Sequence, residues 1–401
     1  MKTKFLALAL ATGLFLNSCS SSSDDSTPVI TPATGEITGQ ITSNITYPYG
    51  NYTLKGIVKI NAGTTVTFDA GSTITCDKTT GDNALVVLNG GKLIINGTAD
   101  KPVVFTEKSK VPGSWGGIIM YGDAPAKVAG GGATSTSEDG NNISYGSANP
   151  NPAHNGGSLV YARVEYAGSK LADGQKENNG FTFYSVGSGT TLDHLVSYKG
   201  ADDGFEFFGG TVSMTNAISF GNYDDAFDWQ DGWQGQANSN WYAYQTGKGN
   251  YGMEIEASLN DNAFYPVVKN ITLKKEAGTV PEVGDDQVDA FQFKREGNGE
   301  YSNIIVSGYG NYTNAGGTVY KGSVCSILED ATTNQHQVNK SKIKLLNISI
   351  SNTTSIIPTP GTNLTFTVAF PTGTFTPSTT ATGASLTSGA WCTVDGVNLL
   401  K

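Results

Sequence analysis

The chain has 401 residues, 51 of them glycine, and a formal charge of −10. That length is ample for a large buried core. Only 25 Lys and Arg face 35 Asp and Glu, with no basic cluster to meet phosphate, which excludes nucleic-acid binding and leaves cations, neutral sugars or a basic protein as suitable partners.

Lys2 and Lys4 open the chain, and Phe5 to Leu16 is an apolar run too short to span a bilayer. Leu16-Asn17-Ser18-Cys19 follows and resembles a bacterial lipoprotein processing site. The expectation is a signal peptide over 1–18, with Cys19 carrying palmitate and other acyl chains. Two or more chains hold a protein firmly to a membrane. Residues 19–40 begin Ser20 to Ser23, Asp24-Asp25-Ser26, and read as a flexible tether, since they offer little surface to bury. A Ser and Asp run directly after the cysteine resembles the surface-export signal of Bacteroidota lipoproteins. It implies an outer-membrane protein facing the cell exterior; a plain periplasmic linker is the alternative.

From Tyr52 the chain breaks into short runs with alternating apolar residues, bounded by Gly, Asn or Asp. Two of them repeat 22 residues apart. Val196-Ser197-Tyr198 with Asp202-Asp203-Gly204-Phe205-Glu206-Phe207 matches Ile218-Ser219-Phe220 with Asp224-Asp225-Ala226-Phe227-Asp228-Trp229. Weaker copies begin at Asn179 and Asp289. Such a period, with no helical pattern, predicts an all-β fold, a parallel β-helix over 41–401. Phe205 on Phe227, Val196 on Ile218 and Tyr198 on Phe220 are expected as interior ladders. Residues 130–157, 235–251 and 353–389 read as loop insertions. Residues 36–52 and 390–400 are candidate end caps, because an open solenoid end exposes an edge. Beyond Cys19 there are three cysteines, Cys76, Cys325 and Cys392, so at most one disulfide forms; Cys325 with Cys392 is one option.

Particular phrases resemble a group of Bacteroidota surface lipoproteins built on a right-handed parallel β-helix. They run from Val58 to Ile74, Gly90 to Thr106, Gly113 to Gly122 and Ser158 to Gly168, and include the two acidic repeats. A leptospiral outer-membrane lipoprotein family is similar. The resemblance implies a fold and a location, and carries no reaction with it.

The acids Asp202, Asp203 and Glu206 are expected to stack on Asp224, Asp225 and Asp228, with Asp231 close by. Like charges on neighbouring strands repel, so something must offset them. Three readings are open: Asp side chains accepting backbone N–H groups at the bends; a Ca²⁺ ion held by Asp203, Asp225 and Asp228; or a catalytic carboxylate pair. His154, His194 and His336 sit in no catalytic phrase, and Arg163 and Arg295 are the only arginines. Trp233 and Trp241 lie in Gly-, Gln- and Asn-rich sequence beside the acids, as an exposed sugar- or protein-binding loop would. The leading expectation is a non-enzymatic surface lipoprotein that binds a glycan or serves an outer-membrane transporter. The alternatives are a polysaccharide lyase or hydrolase using the Asp stack, and a structural rod or adhesin.

Overall fold

Parallel strands stack coil upon coil from Ala33 to Pro377, and among the described residues 23 of them join in one sheet wound into a right-handed parallel β-helix. The computed structural model describes residues 31–171, 178–261, 266–285, 287–327, 334–355 and 370–401. The signal peptide, Cys19 and most of the tether lie outside them, as does the middle of the 353–389 insertion. No helix among the described residues is long and apolar enough to cross a membrane.

The register follows the repeat. Phe205 pairs with Phe227 and Glu206 with Asp228. Val196 pairs with Ile218 and Tyr198 with Phe220. The copy at Asn179 is the coil before, with Phe181 beside Phe205. Alternation sends Phe181, Phe183, Phe205, Phe207, Phe227 and Trp229 into the lumen, where they are fully or almost fully buried. Phe205 lies 5.1 Å from Phe181 and 5.4 Å from Phe227, in stacked geometry.

A second column of longer strands carries one residue in left-handed backbone per coil. Tyr161, His194, Asn216, Asn240, Asn270, Asn303 and Asn347 have φ between +52 and +59. They fall in one register line, so these seven coils turn the corner at the same place. Asn tolerates this conformation better than other side-chain-bearing residues. The amides also join coil to coil: Asn240 Nδ2 donates to Asn216 Oδ1 at 3.0 Å, and Asn303 Nδ2 to Asn270 Oδ1 at 2.7 Å.

That corner corrects an expectation. Val196, Tyr198, Ile218 and Phe220 pair as expected but face outward, not into the lumen. They are buried because the C-terminal stretch lies over them, with Trp391, Cys392, Val394 and Leu399 in the same cluster. Arg163 Nη1 donates to the carbonyls of Ala390, Trp391 and Thr393 and pins that stretch. Residues 390–400 are therefore a strap along the side, and the last coil is closed by Phe375–Pro377 beside Ile343–Ser351.

Three further expectations change. The tether ends earlier than residue 40, since Ala33–Ile41 is a strand paired with Gly50–Ile60. Residues 235–251 are no loop; Asn238–Gln245 is a strand inside the solenoid. Cys76, Cys325 and Cys392 are buried free thiols, so Cys325 and Cys392 are not bridged.

Candidate functional site

The acidic repeats lie where the chain bends into the short strands Phe205–Phe208 and Phe227–Gln230. Asp203 and Asp225 precede the strands, and Glu206 and Asp228 point outward from them. All four are nonetheless buried, between 2 and 8 % exposed. Asp202 and Asp224 are half-buried at the rim.

Turn chemistry accounts for part of the stack, but between coils rather than within a bend. Asn179 Oδ1 accepts the N–H of Asp203 at 3.2 Å, Asp203 Oδ1 that of Asp225 at 2.8 Å, and Asp225 Oδ1 that of Tyr251 at 2.7 Å. Each side chain thus holds the main chain of the following coil. Asp289 repeats the device on Ser323 at 2.7 Å. Asn250 Nδ2 donates to Asp224 Oδ1 at 2.5 Å, and burial, ahead of repulsion from Glu254, pushes Asp224 up to about 8.

The outward column includes a coil that the sequence reading passed over. Glu254 pairs in register with Asp228 and Gln292 with Glu254. Tyr251-Gly252-Met253-Glu254-Ile255 is the missed copy; Tyr251 stands where Asp or Asn begins the others, and the Gly and acid offsets were its remaining signal. The acids divide into sets whose ligand oxygens approach within 4.8 Å: Asp202, Asp203 and Asp224; Asp203, Glu206 and Asp228; Asp225, Asp228 and Glu254. Asp225 therefore shares Asp228 with Glu254 rather than with Asp203. Lys294 faces this last set: its ammonium ion-pairs with Glu254 and lies 3.7 Å from Glu256. Burial alone would lower the Lys294 pKa, but Glu254, Asp228 and Glu256 outweigh it and push it up.

Trp233 and Trp241 do not form an exposed loop. They are 1 % and 0 % exposed and fill the lumen. Trp233 stacks on Phe207 at 4.5 Å and donates Nε1 to Val212 O; Trp241 stacks on Phe227 at 4.6 Å and donates to Met214 O. Their neutral, Gly-rich surroundings serve tight coils, not solvent.

The open site lies beside the stack, at Asp231. The 130–157 insertion forms a hairpin, Thr134–Thr136 with Ser144–Gly146, that folds back on the outer face. Its Tyr145 ring packs against Tyr184 and Phe208. The Tyr145 hydroxyl donates to Asp231, while Asp139 accepts from the Tyr121 hydroxyl and from Ser137. Between hairpin and coils lies a cleft of about 600 Å³, with Tyr145, Asp231 and Glu256 in its walls and Glu138 and Arg295 also lining it. Ser258 Oγ lies 2.5 Å from Asp231 Oδ1 and 3.4 Å from Glu256 Oε1. Arg295 Nη1 lies 3.4 Å from Glu256. Burial raises the Glu256 pKa, while Lys294 and Arg295 hold it back.

The cleft-lining carboxylates Asp231 and Glu256 are already engaged by donors or cations. The buried stack is closed to a polymer, whereas the cleft, at about 600 Å³, falls in the size range of small-ligand sites and is lined by hydrogen-bonding groups.

A family model for a pectate-lyase-like β-helix domain matches residues 39–393. No curated protein and no solved structure matches the chain.

Proposed function

The chain belongs to the pectate-lyase-like β-helix domain family, and from that premise we propose that it is a non-enzymatic lipoprotein that binds a glycan in the cleft at Asp231. One observation carries this reading: the cleft is the polar hollow formed between the hairpin and the coils, and its Asp231 and Glu256 are held in fixed hydrogen bonds and ion pairs. Fixed polar groups orient a ligand. A cleft with three carboxylates and one guanidinium favours neutral sugars over uronates, whose own charge the carboxylates repel.

The address is part of the same proposal. Leu16 to Cys19 supports lipidation at Cys19, and the Ser and Asp run after it supports export to the outer face of the outer membrane, as in the Bacteroidota lipoproteins it resembles. There the protein would hand glycan to an outer-membrane transporter.

A second reading rests on Ser258, which brings Asp231 and Glu256 close enough to serve as a hydrolase pair. Incubating the protein with a panel of neutral and acidic polysaccharides separates the two. Retention of a neutral glycan without new chain ends supports the binder. Cleavage that vanishes in Glu256→Gln establishes the enzyme instead, and retention of none overturns both.

A further inference from the structure

Glu206 and Asp228 are direct neighbours on paired strands, and Asp203 sits three residues before Glu206. The three side chains bring carboxylate oxygens within 4.8 Å of one another, and the residues are 6, 8 and 6 % exposed for Glu206, Asp228 and Asp203. Carboxylates so close, and so shielded from water, cannot all stay ionised without positive charge between them.

Protein donors meet only part of that need. Asn179 Nδ2 and Gln230 Nε2 donate to Glu206 at 2.5 and 3.2 Å. Asp203 receives the Asp225 N–H. Asp228 Oδ1 is buried and has no hydrogen-bond partner. Among the described residues no Lys, Arg or His forms an ion pair with Asp203 or Glu206. Lys294 ion-pairs with Glu254 and Glu256. It also attracts Asp228 through space, but makes no hydrogen bond to Asp228 Oδ1 and leaves Asp203 and Glu206 without a cation. A buried carboxylate oxygen without a donor costs roughly 1–3 kcal/mol or more, so its persistence beside two other carboxylates points to a ligand.

We propose that Asp203, Glu206 and Asp228 together bind one Ca²⁺ ion, as a structural staple between two coils of the β-helix. The donor set is all oxygen, which selects hard cations over zinc or copper. Ca²⁺ accepts irregular coordination by six to eight oxygens, whereas Mg²⁺ demands a near-octahedral shell and keeps several waters, for which a site this buried has little room. Burial, ahead of repulsion from neighbouring carboxylates, raises all three carboxyl pKa values, and for Asp228 Lys294 opposes that rise. The site is buried beside the glycan cleft, with Gln230 bonded to Glu206 and lining the cleft, but its carboxylates do not line the cleft and neither proposal depends on the other.

The test is calorimetric titration of CaCl₂ into chelator-treated full-length protein, with thermal melts at each concentration. One ion per chain and a rise of several degrees in Tm are expected. Asp228→Asn, whose Oδ1 has no donor to lose, and Glu206→Gln, each shown to be folded by circular dichroism first, are each expected to abolish the Ca²⁺-dependent rise, while Asp261→Asn, at an exposed lysine-paired site, keeps it. No binding and no rise at millimolar Ca²⁺ overturns the proposal. So does a rise that survives in both cluster variants, or one that MgCl₂ produces and CaCl₂ does not.

Discussion

Asp203 Oδ1 accepts the backbone N–H of Asp225, 22 positions on, at 2.8 Å. An acidic side chain in one coil thus holds the main chain of the next. Asp203 and Asp225, members of the acidic stack for which a catalytic pair is one open reading of the sequence, are the uprights of a ladder that sets coil spacing. Asp203→Ala leaves the Asp225 N–H buried without an acceptor and is expected to cost about 1–3 kcal/mol. Asp203→Asn keeps the acceptor and removes a charge, so in metal-free buffer it is expected to match or exceed the native stability. Denaturant titration of both variants checks this; equal losses would show that charge, not acceptance, is what the position supplies.

The left-handed asparagines make a second ladder with its own signature. Asn240→Ala forfeits the bond to Asn216 and keeps a side chain at φ +58, for an expected loss of about 1–3 kcal/mol. Asn240→Gly loses the bond but not the backbone fit, and is expected to cost about 1 kcal/mol or less. Comparing the two midpoints isolates backbone strain; a Gly variant weaker than the Ala variant contradicts it.

These two ladders show what the sequence made readable. The 22-residue echo sets the register of Phe205 on Phe227 and Glu206 on Asp228, because period and strand alternation are local properties. It does not set the face of Val196 and Tyr198. Alternation is broken at His194 and Asn216 by left-handed backbone, so counting by twos across the break misassigns the side. Asn ahead of an apolar residue, as in Asn216-Ala217, Asn240-Trp241, Asn270-Ile271 and Asn303-Ile304, was the available clue. Trp241 follows that break and so enters the lumen. The cleft was not readable at all, because Tyr145 reaches Asp231 across 86 positions from a hairpin with no repeat of its own.

That long-range contact gives a local prediction. Tyr145→Phe removes the hydroxyl that donates to Asp231 and leaves the ring in its cluster. Global stability is expected to fall by about 1.5–3 kcal/mol at most, as for a hydrogen bond to a charged group. Amide exchange in residues 134–146 is expected to accelerate well beyond that in the lumen strands. Uniform acceleration would mean the hairpin is not held by this bond.

Asp289 gives a pH dependence whose sign is fixed. It is fully buried, and burial outweighs the donations from Ser323 and Gln287 to push its pKa up to about 6. The unfolded carboxyl titrates near 3.8, so between these values the folded state holds the extra proton. Stability from this group is therefore greatest below about pH 4, falls as pH rises through about 6, and is flat above, by no more than about 3 kcal/mol. The difference between native and Asp289→Asn stability curves over pH 4 to 7 reads it out. A difference that grows more favourable to the native chain with rising pH contradicts the assignment.

The central claim is that the cleft at Asp231 binds a neutral glycan, and calorimetric titration of neutral oligosaccharides into native, Glu138→Ala and Arg295→Ala protein tests it most directly. The account predicts saturable binding to the native chain, no heat of product formation, and about tenfold weaker affinity in each variant, equivalent to about 1.4 kcal/mol. Native-like affinity in both variants, or binding confined to acidic oligosaccharides, would contradict it.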